Sequence, residues 1–297
     1  MSENNSWVLT GLLPHPTDEW NRLRHFLALS SEEKAAMVAT IEPLFRRGHE
    51  LVAGTYDYLA HHEETAVILG WEKGVDPAHL AERRRFFTIW LARLLGMDFS
   101  ADFALALFRA GQVHAAHGPR HIHVPEVYVS GAISLVSATF ARFLQEEMPG
   151  ETAVPTALAG WHKVLTLHQH MMLFGYQTAR AWDEGEIAVC LEFYGRMRSY
   201  TGTKNRTIQL KPASTTSDLL RKFFNYYPTT RADVFSTIWQ PRERLDERGN
   251  PWLTPKPAYQ AKKGWRVLVN GRNITHTNGL HQTIPPNSTI CIFPPGR

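Results

Sequence analysis

The stretch Arg109-Ala-Gly-Gln-Val-His-Ala-Ala-His-Gly-Pro-Arg-His-Ile-His-Val-Pro-Glu-Val-Tyr128 decides how the first half of the chain is interpreted. Apolar residues at helical spacing precede it, and Gly118-Pro119 is a strong signal that a helix has ended. The pattern predicts a helix over residues 100–117 with His114 near its end. A histidine so placed can offer one ring nitrogen to a metal in an apolar pocket, while a carbonyl or a neighbouring side chain holds the other nitrogen.

Composition limits the class of protein. The 297 residues are enough for two domains, and 43% hydrophobic with 20% charged residues is typical of a water-soluble globular chain. The net charge of +4 is scattered and forms no basic stripe, so we expect no nucleic-acid binding. The N-terminus lacks the pattern of a signal peptide, which predicts a cytoplasmic protein. No run of about 18 uncharged apolar residues occurs, so we expect no membrane-spanning segment.

The character of the chain changes at Gly185. Residues 1–16 are polar and predict a flexible lead, and residues 17–184 show helical periodicity throughout. Residues 185–297 contain β-type runs, a capped helix and the hairpin signal Asn270-Gly271, with residues 228–264 interpreted as a long loop. The sequence therefore predicts two domains, an all-α domain followed by a small α+β roll.

Several motifs of the helical half occur together in one known group of proteins. They are Ile41-Glu-Pro-Leu44, Thr55-Tyr-Asp-Tyr-Leu59, Glu64-Thr-Ala66, Arg85-Phe-Phe-Thr-Ile-Trp90 and Gly111-x-x-His114. In these motifs the region 17–184 resembles the globins of the protoglobin and globin-coupled-sensor group. The long insertion before Ile122-His-Val-Pro-Glu-Val-Tyr128 favours the protoglobin branch.

The resemblance implies a haem-binding globin domain with haem b as the cofactor and O₂, CO or NO as the ligand. It implies that His114 is the proximal iron ligand and that Tyr56 is the distal tyrosine that hydrogen-bonds a bound gas. Phe87 would line the distal pocket, with Phe86 and Trp90 close by. Thr55 stands where the family has an aromatic residue, so the shape of the pocket departs from the family pattern. The resemblance also implies a homodimer formed through the globin G and H helices.

The residues taken without the resemblance allow plainer interpretations. His114 could be a solvated histidine at a helix end, and the aromatic residues could be ordinary core residues. The run Arg83–Arg85 could be a solvated face, or one of its arginines could meet a haem propionate. His168 could touch the haem edge or be a buried histidine with satisfied nitrogens. His117, His121 and His123 could form a divalent-metal site.

Three segments of the second half match small sulfur-carrier proteins. They are Phe193-Tyr-Gly-Arg-Met-Arg-Ser-Tyr-Thr-Gly202, Val269-Asn-Gly-Arg-Asn-Ile274 and Ile292-Phe-Pro-Pro295. Residues 186–297 thus resemble the molybdopterin-synthase small subunit and the thiamine carrier, which have a ubiquitin-like β-grasp fold. Those carriers end in Gly-Gly, whereas this chain ends in Pro295-Gly-Arg297, which makes sulfur transfer doubtful.

Cys190 and Cys291 lie far apart in the sequence, and no CxxC pair is present, which disfavours a structural zinc site or an Fe–S cluster. The resemblance to a β-grasp fold places these two cysteines on neighbouring parallel strands. Buried inert thiols are the favoured interpretation, with a redox pair as the alternative.

Three functional hypotheses follow from the two resemblances. The first is a gas sensor without catalytic residues, in which the globin domain binds the gas and the β-grasp surface contacts a protein partner. The alternative is a sulfur carrier or accessory protein in molybdenum or tungsten cofactor assembly, with an oxygen-responsive globin. A haem enzyme ranks last, because no distal His/Arg acid–base pair is recognisable in the sequence.

Overall fold

The computed structural model describes residues 7–295. The chain divides into two compact units, Pro16–Ala179 and a second unit made of Met1–His15 with Arg180–Arg297. The first unit corresponds closely to the helical domain expected over residues 17–184. The second joins the expected β-grasp region to the N-terminal residues. Gly296 and the C-terminal Arg297 lie outside the described residues.

The first unit is helical, as the sequence periodicity predicts. Its helices are α1 (Pro16–Leu27), α2 (Ser31–Arg46), α3 (Gly48–His61), α4 (Glu63–Leu69), α5 (Pro77–Leu95), α6 (Ala101–His114) and α7 (Glu126–Glu147), followed by α8 (Ala153–Asp183). Polar caps satisfy the first backbone N–H groups of several helices. Ser30 and Glu33 form a capping box on α2, and the side chains of Asp76 and Ser100 cap α5 and α6.

Two glycines let α6 and α8 cross at very short distance. A Cβ atom added at Gly111 would lie 1.8 Å from the carbonyl oxygen of Met172, and one added at Gly175 would lie 1.8 Å from that of Phe108. Each glycine therefore faces the backbone of the other helix, where no side chain fits. This crossing sets the position of α6, and with it the position of His114 three residues further on.

The second unit contains a mixed five-stranded sheet. Its elements are β2 (Ile187–Phe193), α9 (Arg196–Thr201), β3 (Asn205–Leu210), α10 (Thr216–Tyr226), α11 (Arg231–Val234), β6 (Arg266–Val269), β7 (Arg272–Asn273) and β8 (Thr289–Phe293). The strand order is β3-β2-β8-β6-β7. Strands β2 and β8, which are the first and last of this sheet in sequence order, pair in parallel. The other pairs in the sheet are antiparallel. Helix α10 buries Leu219, Leu220, Phe223 and Phe224. This is the β-grasp arrangement that the sequence predicts.

A second, three-stranded sheet has the order β1 (Val8–Thr10), β5 (Pro251–Ala261), β4 (Phe235–Leu245), and it corrects two expectations. Residues 228–264 were expected to be a loop, but β4 (Phe235–Leu245) and β5 (Pro251–Ala261) form a long antiparallel hairpin within them. Its prolines hide the strand signal, because proline cannot donate to a ladder; Pro241 and Pro255 lie opposite each other.

The lead predicted to be flexible is also ordered where the structure describes it. Strand β1 (Val8–Thr10) pairs with β5 from Ala258 to Gln260, and Leu9 is fully buried. The Arg221 Nε donates a hydrogen bond to the Thr10 carbonyl oxygen at 2.7 Å. A pairing between segments this far apart in the sequence leaves no local pattern, so the polar composition alone was misleading.

Helix α7 departs from the expectation that no segment could span a membrane. Among the described residues it is the one helix that is long and apolar enough, by length and composition, to cross a membrane. The uncharged run 127–141 stops at Arg142, which is why a strict count of uncharged residues missed it. The buried stripe of this helix, including Val136 and Phe140, belongs to the core of the helical unit and packs toward α2 and α3.

His168 on α8 is part of the aromatic core. Its ring stacks on Trp20 at a centroid distance of 5.8 Å and meets Phe103 and Trp90 edge-on at 5.0 and 6.0 Å. Only 1% of the residue is exposed, and its Nδ1 has no hydrogen-bond partner. Burial lowers the pKa of His168 to about 3. His168 is therefore a neutral core residue, and it is not one of the residues that line the cavity described below.

Acid should destabilise the protein through His168. In the unfolded chain this histidine titrates near 6.5, whereas in the folded chain it stays neutral down to a pKa of about 3. Between these values the unfolded state binds the extra proton, so the free energy of unfolding falls as the pH falls. We expect His168→Phe to reduce this dependence by up to about 1.4 kcal/mol per pH unit between pH 6 and 4. Urea unfolding at several pH values measures it, with the exposed His162→Phe on the same helix as control. Equal slopes in wild type and His168→Phe would contradict the assignment.

Candidate functional site

A cavity of about 270 Å³ lies inside the helical unit, close to the lower end of the usual range of about 300–1,000 Å³ for small-molecule sites. Helices α3 to α8 and the segment 118–124 contribute to its walls. All five residues that the sequence nominated line it, namely Tyr56, Phe86, Phe87, Trp90 and His114. The structure thus brings the predicted set together around one cavity, although Phe86 is also 57% exposed to solvent.

His114 is the last residue of α6 and reaches the cavity from that helix. Its Nδ1 lies 2.7 Å from the carbonyl oxygen of Ala110, one turn earlier. A carbonyl can only accept, so the Nδ1–H donates, and the Nε2 is left with its lone pair. Burial lowers the pKa of His114, and the nearby Arg83 charge lowers it further. A neutral imidazole with one nitrogen held by a carbonyl is the form that binds a metal ion.

The segment after His114 folds back to the cavity, and backbone contacts join its two ends. The backbone N–H of Val124 donates to the carbonyl oxygen of His114 at 2.8 Å, and Ala115 and His123 form an isolated β-bridge. The Nε2 of His123 lies 2.7 Å from the Tyr176 hydroxyl. The insertion that the sequence places before Ile122 is therefore a closed loop, and its residues 118–122 form part of the cavity wall.

Aromatic residues line the wall contributed by α3 and α5. The ring of Tyr56 meets Phe87 edge-on at 6.1 Å, and Phe87 stacks on Trp90 at 5.2 Å. The Tyr56 hydroxyl donates to the Arg83 carbonyl oxygen at 3.0 Å. Burial raises the pKa of Tyr56 to about 12, so its hydroxyl keeps its proton at neutral pH. Tyr56 is thus a hydrogen-bond donor on a cavity wall that is otherwise largely apolar.

The structure does not assemble the histidine metal site considered as an alternative. Among residues 7–295, no group of three or more His, Cys, Asp or Glu side chains could hold a metal ion. His121 directs its Nδ1 toward the Ala116 carbonyl oxygen at 3.3 Å, and His123 is engaged with Tyr176. Only His121 of this patch lines the cavity.

Sequence reasoning missed His79, which also lines the cavity. It lies on α5, 2% exposed, and its ring meets Trp71 edge-on at 5.3 Å. The spacing of His79, Arg83, Phe87 and Trp90 along α5 places them on one helical face. That spacing was available in the sequence and would have found His79 once Phe87 was assigned to the pocket.

The two cysteines lie on the parallel pair β2 and β8, as expected, and both are free thiols. The Cys291 Sγ lies 3.7 Å from the Glu192 Oε2. Burial, followed by the Glu192 charge, raises the pKa of Cys291 to about 11. Since the thiolate is the reactive form, this environment favours an inert thiol at Cys291.

Comparison with known proteins follows the same division of the chain. A sequence model described as Protoglobin matches residues 17–182. No curated protein matches the chain. The globin domain of the Geobacter sulfurreducens globin-coupled sensor is similar to it with 18% identity and a TM-score of 0.45, covering 53% of this chain and 97% of that one.

Solved structures of small β-grasp proteins cover another part of the chain. Small archaeal modifier protein 1 of H. volcanii is 14% identical with a TM-score of 0.27, covering 37% of this chain and 100% of that one. A putative molybdopterin converting factor, subunit 1, from Pyrococcus furiosus is 18% identical with a TM-score of 0.26, with the same coverages. The Protoglobin match spans more than half of the chain and contains every residue of the cavity, so the chain belongs to the protoglobin family.

Proposed function

We propose that the helical unit binds haem b in this cavity and that the protein is a haem-based sensor of a diatomic gas, O₂, CO or NO. The observation that carries the proposal is the state of His114. It is half-buried, its Nδ1–H is engaged by the Ala110 carbonyl, and its Nε2 is free to act as a ligand in a cavity with largely apolar walls. Membership of the protoglobin family supports the same cofactor.

The residues of the cavity fit an iron porphyrin. The walls are largely aromatic and aliphatic, one neutral imidazole can serve as an axial ligand, and one protonated tyrosine can serve as a donor. Two buried nitrogen atoms that line the cavity, the His79 Nε2 and the Arg83 Nε, have no partner, which suits a ligand with acceptor groups. Haem bound here would supply the iron that takes up the gas.

The protein side chains then have separate roles. His114 holds the cofactor and links it to α6. Tyr56 offers its hydroxyl proton to a polar ligand, for which it must leave the Arg83 carbonyl oxygen. Phe87 and Trp90 exclude water from the cavity, which strengthens such a hydrogen bond.

Removal of the Tyr56 hydroxyl should weaken O₂ binding selectively. A well-formed hydrogen bond in this setting contributes roughly 1–2 kcal/mol, so Tyr56→Phe should speed O₂ dissociation about tenfold. CO is less polar when bound and its dissociation should change little. Stopped-flow displacement measures both rates in the haem-loaded protein, with Tyr58→Phe as the control because Tyr58 lies on the same helix and is 52% exposed. Equal O₂ dissociation rates in wild type and Tyr56→Phe would show that Tyr56 is not the donor.

We propose that the β-grasp unit transmits the signal to a protein partner in the cytoplasm. Exposed apolar side chains on the β4–β5 hairpin support this, because such groups mark contact surfaces; they are Trp239, Leu245, Trp252 and Leu253. A useful signal needs a coupling of about 1–3 kcal/mol between gas binding and partner binding. Capture from cell extract by the immobilised chain should therefore differ between the deoxy and CO forms. Trp239→Ser should abolish the capture, and Phe26→Ser, at an exposed apolar residue of α1, should not. Identical capture by the two forms contradicts an output of this kind.

We also propose that two copies associate through α7 and α8, which occupy the positions of the globin G and H helices. The outward face of α7 exposes Gly131, Ser134 and Ala138, and small residues of this kind allow close helix packing. Sedimentation velocity should give the mass of two chains. The mass of one chain across the micromolar range would exclude the dimer.

A further inference from the structure

The cavity carries two nitrogen donors that no other group within residues 7–295 engages. The His79 Nε2 and the Arg83 Nε are buried and have no hydrogen-bond partner. His79 and Arg83 are four positions apart on α5, so they lie about one turn apart on the same face of the helix. Buried polar groups are nearly always paired in folded proteins, and an unpaired one costs stability. These two atoms therefore call for an acceptor that enters the cavity.

The charged lining of the cavity is entirely cationic. Arg83 and Arg120 are its charged side chains, and none of the described lining residues is an Asp or Glu. Glu82 lies outside the lining and accepts from both guanidinium groups, at 2.8 Å from the Arg120 Nε and 3.1 Å from the Arg83 Nη2. The Asp76 carboxylate lies 3.9 Å from Arg120. The acidic residues thus form ion pairs with the two arginines without lining the cavity. The cavity surface itself therefore carries hydrogen-bond donors and no carboxylate among the described lining residues.

His79 completes this group as a neutral donor. Burial lowers its pKa, and the charges of Arg120 and Arg83 lower it further, so the ring stays neutral. With the proton on Nε2, the ring can donate to an oxygen in the cavity without adding a third charge.

We infer that His79, Arg83 and Arg120 form a carboxylate-binding end of the cavity that holds the propionate groups of haem. The inference rests on the proposed function and adds the orientation of the cofactor to it. Two propionates provide four acceptor oxygens and two negative charges, which suit two guanidinium groups and one imidazole. A diatomic gas has too few acceptor atoms to engage all three side chains.

The test compares haem with haem dimethyl ester, whose carboxylates are blocked and uncharged. Apoprotein is titrated with each compound in one detergent-containing buffer, and quenching of tryptophan fluorescence gives the dissociation constant. The wild type should bind haem at least about tenfold more tightly than the ester, as expected for hydrogen bonds between charged groups. Arg83→Gln, Arg120→Gln and His79→Leu should each weaken haem binding several-fold, up to about tenfold, and leave ester binding unchanged.

Arg85→Gln is the matched control, since Arg85 is exposed on the same helix and does not line the cavity. It should affect neither compound. Far-UV circular dichroism verifies that each variant is folded. Because three single variants are measured, the test still works if one of them fails to fold.

The outcomes separate the inference from the proposed function. If the wild type binds neither compound, the haem proposal fails. If it binds haem and the ester equally, or if the variants weaken both equally, the haem proposal stands and the carboxylate-binding end is wrong. Faster O₂ dissociation in Arg83→Gln without any loss of preference for haem over the ester would place Arg83 beside the gas and overturn the inference.

Discussion

Replacement of His114 by alanine should remove the side chain that would hold the iron of the proposed haem. No other described cavity residue combines a half-buried neutral imidazole with a carbonyl-held Nδ1. In the ferrous protein we expect the iron–histidine stretching band in resonance Raman spectra to disappear. We also expect haem affinity to fall by a factor of ten or more, because second-sphere changes alone commonly cost 10–100-fold in metal affinity.

Rescue and control variants make this result specific. Imidazole added to His114→Gly should restore a band close to that of the wild type, because the small molecule can occupy the vacated space. His121→Ala removes the exposed histidine of the cavity lining and should leave the band in place. An unchanged band in His114→Ala would mean that another residue ligates the iron.

Replacement of Gly111 by alanine should lower the free energy of unfolding by about 3 kcal/mol, at the upper end of the range for overpacked cores. The added Cβ would lie 1.8 Å from the Met172 carbonyl oxygen and 2.8 Å from the Tyr176 backbone nitrogen. Backbone atoms of α8 cannot rotate away as a side chain can, so α6 and α8 must separate. Urea unfolding measures the loss, and haem affinity should fall as well because His114 moves with α6.

Gly54→Ala is the matched control for this prediction. Gly54 lies within α3, and nothing is within 4 Å of an added Cβ. Alanine should therefore raise stability there by about 0.5–1 kcal/mol, because it favours helix over glycine. A Gly111→Ala protein as stable as Gly54→Ala would show that the two helices do not depend on their close crossing.

Much of the helical unit and its cavity could be predicted from local sequence signals. Gly118-Pro119 fixed the end of the helix that bears His114, although α6 stops a little earlier than expected, at residue 114. The aromatic residues of α5 follow helical spacing, which places Phe87 and Trp90 on one face. Even so, the assignment of these residues to a cofactor came from the resemblance, because the same spacing is equally typical of an ordinary core.

The features that the sequence did not reveal depend on long-range pairing or on buried geometry. Strand β1 pairs with β5 across most of the chain, and β4–β5 carries prolines that conceal its strand character. Helical spacing could have placed His79 on the same face as Phe87, but only the folded α5 shows that the His79 Nε2 is buried without a partner among the described residues. Long-range strand pairing and the burial of a particular atom depend on which parts of the chain pack together. Local sequence periodicity does not contain that information.

We expect one porphyrin to occupy the cavity that Tyr56 and His114 line. A haem titration of the apoprotein tests this expectation most directly. Absorbance near the Soret maximum should rise linearly and stop at one haem per chain. Reduction followed by CO should then shift that band sharply, as expected for a histidine-ligated ferrous haem that accepts a gas. Absorbance that keeps rising without saturation, with no change on adding CO, would contradict the account.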